Sequence, residues 1–401
     1  MFPYWILFSI PAWQALTRSD SAALRPARSA MKRIRSRTHK QKGLPAKSFN
    51  SLPSQPVRSA KKRVKSASSL SAYWPIIWQF MFVVLVLMIG LRHRVGGDWG
   101  NYARNFKTVA SYSYDEILQL GDPGYNFLTW YAAQHNLGMY FVNTVCAVVF
   151  TWGLVTFCRS QPRSWLALTV AIPYMVIVVA MGYTRQGVSI GLGMLGLVAL
   201  SDRKMLKFAI YIALAASFHK TAVILMPLAA LANSKNRWIT MAWVALFSVL
   251  LYYLFLQESI DGLKMNYIEA QYQSAGAAIR VFMNAIPAVL FMLFRKRFVM
   301  AKGEKSFWIW MSLIALGFVA WLAVSSSSTA VDRMALYFIP LQLYVLSRLP
   351  DAMGSLTGNS RIWVQLVVAY CALVQLIWLL FAVNALYWLP YQFYPWVLLT
   401  Q

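Results

Sequence analysis

Apolar runs of about 16 to 22 residues, long enough for a helix to span a bilayer, recur along this chain from Tyr73 onward. Inside a bilayer every backbone N–H and C=O must find a partner within the protein, so only helices and closed barrels cross. The runs are too long for barrel strands, which need about half as many residues. The expected fold is therefore all-α, a polytopic integral membrane protein of about eleven transmembrane helices. The crossings fall at 73–91, 138–157, 164–183, 186–201, 206–217, 221–233, 238–256, 280–294, 307–325, 333–349 and 362–383.

The fifth and sixth runs are short and meet at Phe218-His219-Lys220. They form either a short hairpin or one broken span near 206–233. Cytoplasmic loops carry an excess of Lys and Arg, and this bias arbitrates. A hairpin returns the chain to the cytoplasm at Lys235 and Arg237, and puts Arg295, Lys296, Arg297, Lys302, Lys305, Arg348 and Arg361 there too. A single crossing would turn those nine outward and leave Lys264, Arg280 and Arg333 inside. Nine against three favours the hairpin, with the N-terminus cytoplasmic and the C-terminus outside. His219 and Lys220 then sit at the floor of an outward-facing cavity, because non-helical backbone at membrane depth must be buried in protein or line water.

Composition agrees. The chain is 59% hydrophobic and 12% charged, about half the charge of a soluble domain. Of the net charge of +26, residues 1–72 carry 15 Lys and Arg against one acid, Asp20. This Ser- and Pro-rich stretch cannot bury a core and is expected to be a disordered, basic cytoplasmic tail that touches anionic lipid heads. Lipid contact is a better reading than nucleic-acid binding. Residues 73–401 form the transmembrane domain. Residues 2–16 are apolar but short, and Pro11 interrupts them; the sequence leaves their role open. Cys146, Cys158 and Cys371 form no CxxC pair and read as small buried side chains, with no disulfide and no zinc site. The spacing of Gly187 and Gly191 is a small-residue face for close helix contact.

On this topology the cytoplasmic side collects 29 of the 38 Lys and Arg, and the outer side keeps nine. With those nine go Asp98, His219 and Asp332. Ionisable groups at membrane depth are costly and mark function. Four outer clusters stand out: Arg92-His93-Arg94-Val95-Gly96-Gly97-Asp98-Trp99 with Tyr102; Gly121-Asp122-Pro123-Gly124-Tyr125; Tyr183-Thr184-Arg185-Gln186-Gly187; and Ser217-Phe218-His219-Lys220. Arg280 heads the eighth crossing, and Asp332-Arg333 the tenth.

The succession Gly-x-Asp-Trp-x-x-Tyr, Asp-Pro-Gly-Tyr, Thr-Arg-Gln-Gly, Ser-Phe-His-Lys and Asp-Arg, in that order, resembles the EpsG family of Wzy-type bacterial exopolysaccharide polymerases. The resemblance covers roughly 73–395 and leaves the N-terminal 72 residues outside. It implies a multi-pass protein of the bacterial inner membrane that links oligosaccharide repeat units carried on undecaprenyl diphosphate, at the periplasmic face. Its partners would be that lipid-linked oligosaccharide and membrane lipids, with a flippase and a chain-length regulator of the same pathway as neighbours.

The residues suit such chemistry in their own right. The leaving group would be a diphosphate, which needs cations near the bilayer surface. Guanidinium pairs bidentately with phosphate oxygens, which nominates Arg185, Arg280 and Arg333. Lys220 adds a point charge. An arginine at a helix end also snorkels to lipid phosphates with no further role. The acceptor hydroxyl needs a base, and Asp98 and His219 are the candidates. Asp98 could instead close an Asx turn or pair with a nearby arginine, and His219 could merely stabilise the broken helix. Asp332 is expected to pair with an arginine. Tyr102 and Tyr125 could stack on sugars, or belong to an interfacial aromatic belt with Trp99, Trp130, Tyr131 and Tyr183. The chain has no Walker loop, no dinucleotide glycine fingerprint, no HExxH and no Asp-x-Asp pair. A lipid diphosphate is already activated, so no cofactor and no metal is expected. A lipid-linked oligosaccharide flippase, a membrane O-acyltransferase using His219 and a glycan ligase stay open as alternatives.

Overall fold

A computed structural model describes residues 1–18, 74–228, 276–300, 304–325 and 327–400, with positions 242, 245, 246 and 249; for Leu118 and Ser355 only the backbone is described. The described residues are helical throughout, apart from turns and one isolated bridge between Arg92 and Phe393. In chain order the helices are α1 (Phe2–Thr17), α2 (Ile76–Gly90), α3 (Trp99–Val109), α4 (Tyr114–Gln119), α5 (Pro123–Gln134), α6 (Gly138–Arg159) and α7 (Ser164–Ala171). Then come α8 (Thr184–Ser201), α9 (Met205–Phe218), α10 (Ala277–Phe294), α11 (Glu304–Val324), α12 (Ser328–Ala335), α13 (Pro340–Thr357), α14 (Ser360–Phe381) and α15 (Tyr394–Thr400).

Four of these are long and apolar enough to cross a membrane: α6, α10, α11 and α14. They coincide with the expected crossings at 138–157, 280–294, 307–325 and 362–383. The expected crossings at 73–91, 164–183 and 206–217 fall on apolar but shorter helices. The crossing at 238–256 lies outside the described residues except at isolated positions. Of the crossing at 221–233 only 221–228 are described, beginning in a 3-10 turn at Lys220–Leu225; the remainder lies outside the described residues.

Two crossings depart from the simple helices expected of them. Within 164–183, α7 widens into a π-helix over Ile172–Ala180. Pro173 stands at its start and has no N–H to give the ladder, which favours an altered register. Within 333–349, α12 is a separate short helix followed by a tight turn over Leu336–Phe338, before α13 begins at Pro340. Arg333 therefore lies in the last turn of α12 rather than at the head of a long span.

α7 with its π extension, α8 and most of α13 are buried on nearly every face and form the centre of the bundle. A helix apolar all round is what such a position requires. α6 packs on α8, α9 on the other flank of α8, and α13 against α10 and α14. At the α6–α8 crossing a Cβ added to Gly191 would lie 2.7 Å from Phe150 Cα, and one added to Gly153 would strike the Gly191 carbonyl. The small-residue face read from Gly187 and Gly191 is thus a real close approach of backbones. Cys146, Cys158 and Cys371 are buried, unbridged side chains.

The first residues of the expected tail are part of the bundle. α1 packs against α7 and α14. Its Tyr4 is fully buried and donates to the Trp388 carbonyl at 2.8 Å, while Gln375 Nε2 donates to the Tyr4 carbonyl at 3.2 Å. Tyr4, Leu7 and Phe8 seat α1 there by close side-chain packing. Residues 19–73, which hold nearly all the basic charge expected of the tail, lie outside the described residues. Replacing Gly191 by Ala forces the two backbones apart. It is expected to cost about 1–3 kcal/mol of stability, read as a lower melting temperature of the detergent-purified protein.

Candidate active site

Asp122 stands where three elements meet. It precedes α5 in a left-handed backbone conformation, φ 57°, which Asp tolerates better than most residues. Pro123 then supplies the first turn of α5 with its preset φ. The Asp122 carboxylate accepts from Arg185 Nη1 at 2.9 Å and from the backbone N–H of Lys220 at 3.1 Å. One side chain thereby joins the start of α5, the first turn of α8 and the break after α9. Gly124 allows the approach, since a Cβ there would lie 2.6 Å from Ser217 Oγ. Burial pushes the Asp122 carboxyl above the usual carboxylate range, against the opposing pull of Arg185 and the Lys220 N–H.

Arg185 remains accessible despite this pair: its side chain is 41% exposed, against 10% for Asp122. Its guanidinium lies 5.9 Å from the Tyr102 ring centroid and 5.7 Å from that of Tyr125, within cation–π range. The Tyr102 hydroxyl also accepts from the Arg185 backbone N–H at 3.4 Å. Tyr102 and Tyr125 are both buried. Their rings therefore form a shelf under Arg185.

His219 occupies the break between α9 and a 3-10 turn at Lys220–Leu225, in extended backbone geometry. The ring is buried, and Nδ1 shares a 2.6 Å hydrogen bond with Thr221 Oγ1. Nε2 has no hydrogen-bond partner among the described residues. The charges of Arg185, Arg333 and Lys220 all bear on the ring. Below it, Ser189 Oγ donates to the Ala215 carbonyl at 2.9 Å and accepts from the Tyr337 hydroxyl at 2.9 Å, fixing the end of α9 on α8.

The third wall is built by α10 and α12. Asp332 accepts a bidentate ion pair from Arg280, through Nε and, at 2.6 Å, through Nη2. The pairing expected of Asp332 is present, and it engages the guanidinium otherwise expected to be open for phosphate. Gln186 Nε2 donates to the Arg333 carbonyl at 2.7 Å and ties α12 to α8.

Asp98 precedes α3 and is half-buried. Its side chain receives a single long bond from Asn101 Nδ2, 3.4 Å, and no ion pair among the described residues. The turn before it requires Gly96, whose φ is +106° and whose Hα side presses on the Met181 carbonyl. Of the three acids here, two are committed to arginines and Asp98 is not.

The structure brings together Arg185, Lys220, His219 and Arg333, with Tyr102, Tyr125, Arg280 and Asp98 around them. Asp122, which the sequence offered with Asp98 and Asp332 only as a carboxylate nucleophile for a retaining enzyme, completes the arrangement as a partner of Arg185; Thr221, Gln186 and the buried Arg92 were given no role from sequence. The Asp-Pro-Gly-Tyr string had pointed toward Asp122; a turn-forming Asp before Pro gives no sign of a long-range partner. Among the described residues no group of three or more His, Cys, Asp or Glu side chains could hold a metal. Removing Asp332 leaves Arg280 charged and buried. Asp332→Ala should therefore destabilise the purified protein by about 3–5 kcal/mol, and should do so in a thermal melt with no substrate present.

No curated protein and no solved structure is significantly similar to this chain. A family model, the EpsG family, matches residues 75–393, from the start of α2 to the segment that pairs with Arg92, and so takes in every residue of the pocket. The chain is a membrane protein of the EpsG family, a polysaccharide polymerase-type family.

Proposed function

We propose that this protein joins oligosaccharide repeat units carried on undecaprenyl diphosphate into an exopolysaccharide, acting at the periplasmic face of the bacterial inner membrane. The observation that carries the reading is the convergence of three cation-bearing segments: Asp122 joins Arg185 to the Lys220 backbone beside His219, and Gln186, next to Arg185, holds the Arg333 carbonyl. A diphosphate leaving group calls for such a cluster of cations. In this reading the chain makes about eleven crossings with its N-terminus and basic tail in the cytoplasm, and the pocket opens outward. Its partners are the lipid-linked oligosaccharide and membrane lipids, with a flippase and a chain-length regulator acting beside it.

The acceptor hydroxyl oxygen attacks the anomeric carbon of the donor sugar. The bond from that carbon to the diphosphate oxygen breaks, and its electron pair leaves on the diphosphate. Arg185, whose side chain is far more open than that of Arg280, meets that charge with Lys220 and Arg333, while Arg280 acts as an ion pair with Asp332. The acceptor proton passes to His219 Nε2 or to the Asp98 carboxylate. Thr221 holds the far side of the imidazole. Burial first, and then the charges of Arg185, Arg333 and Lys220, oppose protonation of the ring; a bound diphosphate, carrying the opposite charge, would relieve the second of these. Donor binding would then switch the base on. A flippase would call for cations along a path through the membrane, whereas those gathered here lie around a single pocket.

The deciding experiment is conversion of purified lipid-linked repeat units to polymer by the purified protein alone. Arg185→Ala is expected to abolish polymer while protein level and membrane insertion stay normal. Asp122 then keeps the Lys220 N–H, and its burial lets it take up a proton, so the fold survives the loss of its partner. Full-length polymer from this variant would remove Arg185 from the site. For the base, His219→Gln and Asp98→Asn are compared in the same assay. The true base should lose about 100-fold or more in rate, and the other should lose much less.

A further inference from the structure

Arg92 follows the last turn of α2 and is 1% exposed. Its guanidinium makes three hydrogen bonds, all to neutral acceptors. Nη1 donates to the Ile89 carbonyl, Nε to the Val95 carbonyl at 3.2 Å, and Nη2 to Thr184 Oγ1 at 2.7 Å. No carboxylate lies within ion-pair distance of it among the described residues. Taking an ion out of water without an opposite charge is strongly unfavourable. Capping the α2 carbonyls does not by itself call for a buried charge, since neutral donors can do that.

The three acceptors suggest another purpose. Ile89 closes α2. Val95 begins the turn that carries Gly96, Gly97 and Asp98. Thr184 opens α8 and adjoins Arg185. A planar five-donor fork fixes the relative position of all three in a way a single ammonium cannot. The Arg185 backbone N–H donates to the Tyr102 hydroxyl at 3.4 Å, so the residue next to Thr184 is fixed to the tyrosine shelf as well as to the Arg92 fork. Arg185 and Arg280 each have a carboxylate, Asp122 and Asp332, whereas Arg92 has none within ion-pair distance among the described residues.

We propose that Arg92 is a positioning residue for the anion grip: its fork sets Arg185 and the Asp98 turn in register, and its unneutralised charge is balanced when a diphosphate binds beyond the tyrosine shelf. This rests on the reading of the pocket as a diphosphate site.

The test compares wild type, Thr184→Val, Thr184→Ser and Arg92→Lys, each purified in full length. Two quantities are read with inorganic pyrophosphate as the probe: the rise in melting temperature it produces, and its inhibition of polymerisation of the lipid-linked repeat. Thr184→Val removes one acceptor without changing side-chain volume. It should weaken pyrophosphate binding about tenfold and raise KM more than it lowers kcat; Thr184→Ser should restore both. Arg92→Lys keeps the charge and loses the fork, and should weaken binding likewise. If Thr184→Val and Arg92→Lys melt earlier but bind pyrophosphate as wild type does, Arg92 is only a structural cap and the proposal is wrong. If wild type polymerises yet is neither stabilised nor inhibited by pyrophosphate, the diphosphate reading of the pocket fails first, and the role of Arg92 falls with it.

Discussion

A charged group buried among apolar helices must be partnered, and the partners chosen here decide how the bundle is held together. The Asp122 carboxylate binds the first turn of α8 and the turn after α9 at once. Asp332 does the same between α10 and α12 by holding Arg280. A second set lies roughly 30 Å away along the helical rise from Thr184 back to Arg163. There Arg163 pairs bidentately with Asp351 at 3.0 and 3.2 Å, and Arg348 bonds to Gln161 and lies 3.9 Å from Glu304. Each end of the central helices is thus tied by side chains of opposite charge. Where both members are nearly buried, as in Arg280–Asp332 and Arg163–Asp351, breaking the pair by removing one member is far more damaging than the pair is stabilising. The ionic groups therefore act chiefly to specify the arrangement.

Packing supplies what ion pairs cannot. Lipid tails are as apolar as leucine, so helices gain little from merely hiding apolar surface from one another. Close backbone contact at Gly153 and Gly191 provides dispersion and shape instead. That contact fixes α8 against α6, and α8 delivers Thr184, Arg185, Gln186 and Ser189 to the pocket. The site residues stand at helix ends and in the short turns beside them rather than on long loops.

The division of labour among the cations follows from their partners. Arg280 is held in both arms by Asp332 and is nearly buried, so it shapes the wall and contributes little free charge. Arg185 has one arm on Asp122, two aromatic faces beneath it and much of its side chain open. Arg92 is buried without an acid. An anion arriving in the pocket would meet a field that the protein has left partly uncompensated.

Much of this was legible in the sequence. Hydropathy marks the crossings because the bilayer imposes one length on every span, and four long helices fall where the runs predict. Arg185, His219 and Lys220 could be named because each interrupts apolar sequence at a helix end, where charge is expensive. The sequence could not say that Asp122 belongs with Arg185, 63 positions away, or that Asp332 would take Arg280. Nor could it say that Tyr102 and Tyr125 would lie under a guanidinium. Pairing in space depends on how helices cross, and the crossings depend on backbone approach at a few glycines and on a π-helix and a short α12 that local propensity does not announce. The one-dimensional pattern determined which segments are apolar and which residues are too costly to be idle; only tertiary packing decided which of those residues would neutralise one another and which would be left charged.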